Sequence, residues 1–176
     1  NINFILGDIR KVEFKKDYNY VYHAAEVCSV QDSFVYPEEC ISTNIWGTYN
    51  IVRAFSGSRI VFLSSASAAE NKSVYGVSKK SAEHFVNLHK NSVSVRCMGV
   101  FGERQTDINL AIPAFCYCLK HNEQAIIYGD GSIKRDFTYI SDFVDGIVKI
   151  GESRTKGQVD IGYGNPISVL ELYKLL

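Results

Sequence analysis

Tyr75 and Lys79 stand four residues apart in Tyr75-Gly76-Val77-Ser78-Lys79. That spacing puts a phenol and an ammonium on one face of a helix, about one turn apart. A lysine charge beside a tyrosine favours phenolate and draws its pKa from about 10 toward working pH, making a group that takes and returns protons. Taken alone, the pair is a weak signal that occurs by chance on many helices as an exposed i, i+4 contact. Its weight rises with Ser64-Ser65-Ala66-Ser67, which follows the apolar run Ile60-Val61-Phe62-Leu63. Such a run is the pattern of a strand buried on both faces. The serines therefore fall at the carboxyl end of a central strand, where ligands bind in open α/β sheets. A hydroxyl there would hold a substrate carbonyl or alkoxide beside Tyr75; a polar loop closing a strand is the alternative reading.

The elements that must position these groups are legible in the pattern. Short apolar runs bounded by turn residues alternate with stretches of helical spacing, which predicts a parallel sheet with crossover helices. Strands are expected at 3–6, 19–23, 59–63, 93–98, 124–128 and 158–162, and helices near 38–56, 73–90, 106–121, 141–151 and 168–176. Tyr36-Pro37-Glu38-Glu39 suits a helix start, because proline fits the first turn and acidic side chains suit its positive end. Ser141-Asp142 and Ser168 suit later starts as caps.

Composition narrows the class. The 176 residues are enough for one domain, and 46% hydrophobic with 22% charged is globular. Nineteen basic against nineteen acidic side chains leave no positive field for nucleic acid or anionic lipid. No apolar stretch approaches the roughly 20 residues of a membrane span, and no secretion signal is visible. Cys28, Cys40, Cys97, Cys116 and Cys118 form no CxxC pair and read mostly as buried thiols of a reduced, cytoplasmic chain. A lone Cys116-x-Cys118 lacks the other two ligands of a tetrahedral zinc site, so no metal is expected. The chain opens on a strand-like run and stops within a helical pattern, which reads as a piece of a longer protein.

Further segments carry a resemblance. Gly7-Asp8-Ile9-Arg10, Val21-Tyr22-His23-Ala24-Ala25, Thr43-Asn44-Ile45-Trp46-Gly47-Thr48, Val95 to Gly102 with Glu103-Arg104-Gln105, Asn109-Leu110, and Tyr128-Gly129-Asp130-Gly131 through Arg135-Asp136-Phe137 stand in order along the chain. Together with the Ser65, Tyr75 and Lys79 set they resemble the extended short-chain dehydrogenase/reductase family, in its NAD-dependent nucleotide-sugar epimerase/dehydratase branch, UDP-glucose 4-epimerase-like.

The resemblance implies an α/β fold: a Rossmann-like doubly wound parallel sheet, its N-terminal strands missing, with part of a small C-terminal substrate-binding domain. Residues 1–104 would form the partial NAD-binding domain with the catalytic pair. Residues 105–176 would form a truncated substrate-binding region interleaved with the last Rossmann elements. It also implies Tyr75 as base, Lys79 as its pKa-lowering partner and ribose ligand, and Ser65 as holder of the reacting oxygen. NAD would be contacted by Asp8, Ile9, Ala24, Ala25, Asn44, Ser64, Tyr75, Lys79 and Met98. The nucleotide sugar would be contacted by Ser65, Asn109, Leu110, Tyr128, Arg135 and Phe137, an arginine fork suiting a diphosphate. A homodimer would form through the helices at 38–56 and 73–90, although Ile41, Ile45, Tyr49 and Val52 would pack on the sheet equally well.

Departures from the family pattern shape the expectation. The Gly-rich fingerprint and the acidic residue after the second strand are absent, so this stretch by itself is expected to be inactive or unstable. Only nine residues separate Ser65 from Tyr75, a trimmed loop. Glu26 replaces a small residue near the cofactor, Gly99 stands where an Asn often meets substrate, and His23 reads as structural. The run Ser65-Ala66-Ser67 carries no carboxylate for elimination, which favours transient oxidation and re-reduction at C4 of a UDP-hexose over dehydration. Alternatives are an NADPH-dependent keto-sugar-nucleotide reductase and a noncatalytic dinucleotide-binding member.

Overall fold

The computed structural model describes residues 2–14 and 18–176. Its centre is a four-stranded sheet in the order β1-β2-β3-β7, formed by β1 (Tyr20–His23), β2 (Arg59–Ser65), β3 (Ser92–Cys97) and β7 (Gly157–Ile161). β2 runs parallel to both β1 and β3, with Ser64 opposite Arg96 and Ser65 opposite Cys97. Ile60, Val61 and Phe62 are at most 2% exposed. Burying each such side chain stabilises the fold by about 1.5–3 kcal/mol, which fixes β2 at the centre and its carboxyl end in place.

Between β1 and β2 the chain forms α1 (Val30–Val35), α2 (Pro37–Ile41), a π-helical turn (Ser42–Gly47) and α3 (Thr48–Ala54). The helix expected over 38–56 is thus present as one helical run from Pro37 to Ala54 with a π-helical turn in its middle, and α1 was not expected. Ser29 caps α1 by accepting from the Asp32 N–H at 3.0 Å, a Ser-x-x-Asp signal of the kind that starts helices. After β2 come α4 (Ser67–Glu70) and α5 (Val74–Leu88). Ile51, Phe55 and Ile60 form one core cluster, while Phe62, Ala82 and Val86 bind α5 to the sheet.

The chain divides into two compact units: residues up to Cys97 with Gly146–Asp160, and Met98–Asp145 with Ile161–Leu176. The second contains β4 (Val100–Phe101) paired with β6 (Thr138–Tyr139), β5 (Lys134–Arg135) paired with β8 (Ile167–Ser168), α6 (Ala111–His121) and α8 (Val169–Leu175). The division falls within α7 (Ile140–Glu152). α8 opens with a reciprocal cap between Ser168 and Glu171. Gly99 has φ +42, and a Cβ there would stand 2.2 Å from the Asp136 carbonyl oxygen. Glycine is a backbone requirement at that position.

Two expected strands do not form. Residues 3–6 are irregular, with Phe4 and Leu6 at least 85% exposed, because they pair with no ladder. Residues 124–128 are likewise irregular, with Ile126 and Tyr128 exposed ahead of Gly129 and Gly131, both at φ +72. The helix expected from 106 begins at Ala111, because Asp107 folds its own turn by accepting from the Asn109 N–H and the Leu110 N–H. Among the described residues no helix is long and apolar enough to cross a membrane, and no cluster of His, Cys, Asp and Glu could hold a metal. Cys40 is buried, whereas Cys28 and Cys116 are exposed, so the thiols are less uniformly core residues than expected.

Candidate active site

Tyr75 and Lys79 lie on the first turns of α5, whose start is fixed by Ser73 accepting from the Gly76 N–H at 3.0 Å. Gly76 lets α5 approach α4, since a Cβ there would lie 2.5 Å from the Ser67 carbonyl oxygen. This contact aims the start of α5 at the end of β2. Ser65, the last residue of β2, is held by the Ser67 N–H at 3.2 Å and stands beside the Tyr75 phenol. Ser65, Tyr75 and Lys79 are therefore brought together by one strand end and one helix start.

The electrostatics differ from those expected of a tyrosine and lysine alone. Burial pushes the Tyr75 phenol up to about 12, the Ser65 hydroxyl working the other way. Lys79 does not draw it down: the ammonium is 0% exposed, donates to the Leu63 carbonyl at 2.5 Å, lies 4.2 Å from the centre of the Phe62 ring and forms an ion pair with Glu26. Burial brings that ammonium to about 7, opposed by Cys97 and Glu83, and the Glu26 carboxylate in contact with it also retains the proton. The other Glu26 oxygen accepts from the Tyr75 hydroxyl at 3.4 Å.

Glu26, read from the sequence only as a departure near the cofactor, is a functional candidate by its contacts. The segment Ser65-Ala66-Ser67 lacks a carboxylate, yet the loop after β1 supplies one. Asn44, on the π-helical turn, holds that loop with two bonds to Val27, accepting from its N–H at 2.8 Å and donating to its carbonyl at 3.1 Å, and it also donates to Ser78 at 2.9 Å. Its amide is engaged by protein and shapes that loop. A π-helical turn at a site is a recurrent arrangement. His23, buried and bonded to Thr48 at 2.9 Å, is structural as read from the sequence.

A second carboxylate supports the strand end from below. Glu83 accepts from Ser64 and from Arg96 Nε, both at 2.7 Å, and from Arg96 Nη2 at 2.8 Å. The Ser64 hydroxyl is thus turned inward to Glu83. Burial raises the Glu83 pKa, but the Arg96 and Ser64 bonds more than reverse this, leaving it lowered.

The remaining expected cofactor residues are dispersed. Ala24 and Ala25 are exposed just after β1. Asp8 accepts from the Arg10 side chain and backbone, which lower it to about 2, and Ile9 packs where a Cβ on Gly47 would fall. Met98 belongs to the second unit, its N–H donating to Ile161. That unit also carries the expected substrate residues other than Ser65. Asn109 bonds Asp107, Leu110 precedes α6, Tyr128 and Arg135 are exposed, and Phe137 packs edge-on to Phe101.

Residues 3–162 match the model of the NAD dependent epimerase/dehydratase family. The chain belongs to this family. It is 28% identical to a UDP-glucose 4-epimerase of Rickettsia bellii, with 97% of the chain matched to 53% of that relative. It is 29% identical to a dTDP-D-glucose 4,6-dehydratase of Bos taurus, matched over its whole length to 58%. The structure resembles the UDP-glucuronic acid 4-epimerase of Bacillus cereus, solved with UDP-glucuronic acid and NAD, at a TM-score of 0.79 and 28% identity, covering 88% of this chain and 57% of that one. The chain therefore spans little more than half the length of these relatives. As a member of the NAD dependent epimerase/dehydratase family it has the α/β, Rossmann-like fold implied by its sequence.

Proposed function

We propose that this chain carries the proton-transfer site of an NAD-dependent nucleotide-sugar epimerase that transiently oxidises C4 of a UDP-hexose. The observation carrying this reading is the convergence of Ser65, Tyr75 and buried Lys79 at the carboxyl end of β2. In it, Ser65 orients the reacting oxygen and Tyr75 takes and returns its proton, with the Lys79 ammonium buried beside them. The donor chemistry fits the nicotinamide half of the dinucleotide: a phenol and an ammonium stand near a loop that begins with two small exposed residues, Ala24 and Ala25. NAD, when bound, supplies the hydride acceptor and donor. Asn109, Leu110, Tyr128, Arg135 and Phe137 would take the nucleotide sugar, and a homodimer would form through the helical faces carrying Ile41 and Tyr49, which are exposed here.

A dehydratase is the second reading, favoured by the Glu26 carboxylate beside Tyr75, because elimination needs an acid or base besides the tyrosine. The test incubates the whole protein with NAD and UDP-glucose or UDP-galactose and analyses the sugar nucleotides by chromatography and mass. Interconversion at unchanged mass supports the epimerase; loss of one water supports the dehydratase; no reaction with either sugar sinks the C4-epimerase proposal. Tyr75→Phe is expected to lower turnover by about 10²–10⁴-fold while NAD still binds, and undiminished turnover would remove Tyr75 from its assigned role.

A further inference from the structure

Lys79 and Tyr75 do not meet directly through the ammonium; both meet Glu26. One carboxylate oxygen is paired with Lys79 Nζ and the other accepts from the Tyr75 hydroxyl at 3.4 Å. The arrangement is built by the fold. The Asn44 bonds to Val27 fix the residue after Glu26, and Lys79 is held from the other side by the Leu63 carbonyl and the Phe62 ring. Glu26 keeps 19% of its side chain exposed while the ammonium is fully buried. The carboxylate thus lies on the solvent side of the charge it neutralises.

We propose that Glu26 is a positioning residue of this site: its carboxylate holds the Tyr75 phenol and the Lys79 ammonium together and receives the phenol proton as Tyr75 accepts one from the substrate. The inference rests on the reading of Tyr75 as the acid–base group. In the oxidative step the substrate O–H bond breaks and its proton passes to the Tyr75 oxygen, while the Tyr75 proton passes to a Glu26 oxygen. Hydride acceptance is the chemistry that the bound dinucleotide would supply, so that loss of the C–H electron pair with the O–H proton would leave a carbonyl on the substrate. Re-reduction reverses each transfer, so the protein returns to its starting protonation. At 3.4 Å the phenol and carboxylate stand slightly beyond the roughly 2.6–3.2 Å range of proton transfer, so the step draws them closer.

The charged and titratable groups facing this trio are His23 from β1, Cys28 and Cys40 from the following loop and α2, Glu83 from α5, and Cys97 from β3. All are retained in the test. Glu26→Gln removes a negative charge from beside both groups, which disfavours the ammonium and favours the phenolate, so the midpoints of Lys79 and Tyr75 both move down. The midpoints are read by NMR of the lysine side-chain nitrogens and tyrosine ring carbons, with Lys79→Met and Tyr75→Phe providing assignments. The expected result is a fall of about one pH unit or more, tenfold in the proton equilibrium, for Lys79 in Glu26→Gln, with Glu26→Asp close to the wild type. Unchanged Lys79 midpoints, or the same shift in the Gln and Asp variants, overturn the proposal. Where turnover is measured, loss of the acid limb of its pH profile in Glu26→Gln supports proton receipt by Glu26, and an unaltered limb overturns it. The NMR arm is independent of the sugar, so absence of epimerisation sinks the functional reading without deciding the role of Glu26.

Discussion

Glu83 illustrates how much of this site is supported by residues that never face it. With 1% exposure it accepts from Ser64 and Arg96, and those bonds keep it ionised inside the protein. Removing one partner of a buried pair leaves the other charged and uncompensated, which costs about 3–5 kcal/mol. Glu83→Ala is therefore expected to destabilise the protein by about that amount, read as a shift in the urea midpoint at constant slope. A change below about 1 kcal/mol, as for an exposed pair, would show that Arg96 finds another partner. The candidate trio was legible from spacing and residue type, Tyr75 and Lys79 from the helical period and Ser65 from its place after an apolar run. Glu83 was not, and Glu26 was legible only as a departure near the cofactor, without its contacts to Tyr75 and Lys79. Both act through contacts between segments distant in sequence, Glu26 and Lys79 standing 53 positions apart, and no local period reports such a contact.

At the scale of elements, the approach of α4 to α5 decides where the catalytic helix begins. Gly76 is the residue that permits it, with the Ser67 carbonyl oxygen 2.5 Å from where a Cβ would be. That obstacle is backbone, so Gly76→Ala must displace one helix against the other instead of rotating a side chain. The overpacking cost is about 1–3 kcal/mol, and because Tyr75 is the adjacent residue, proton transfer should fall more than substrate affinity. A stability and activity equal to wild type would show that α4 yields freely. β2 was legible because a strand inside a sheet needs nearly continuous apolar residues, β3 and the flanking β7 because they alternate apolar with polar residues, and the flanking β1 as a short apolar run. The runs at 3–6 and 124–128 have the same composition but no partner to complete a ladder, and composition alone does not distinguish the two cases. The π-helical turn was equally hidden: Thr43 through Thr48 carries ordinary helix spacing, and only the Asn44 bonds to Val27 and Ser78 reveal what the extra backbone width accommodates.

For the whole molecule, balanced charge leaves acid response to individual buried groups. His23 is buried against Thr48, and burial together with the Lys79 charge lowers its pKa to about 4. Its folded pKa lies below the unfolded value of about 6.5, so the neutral ring is favoured by folding. The corresponding stability is present above the unfolded value and is lost as pH falls from about 6.5 toward about 4. His23→Gln, which keeps a hydrogen-bonding side chain without the titration, is expected to flatten the dependence of Tm on pH across that window. Parallel curves for the two proteins would assign acid loss to other groups. One more property follows from the π-helical turn. The chain has a single tryptophan, Trp46, two residues after Asn44 and 5.4 Å from the Tyr49 ring. Tryptophan emission from the entire chain therefore originates beside the residue that holds the Glu26 loop, giving an unlabelled optical reporter of that loop at nanomolar to micromolar protein concentrations, where NMR has no sensitivity.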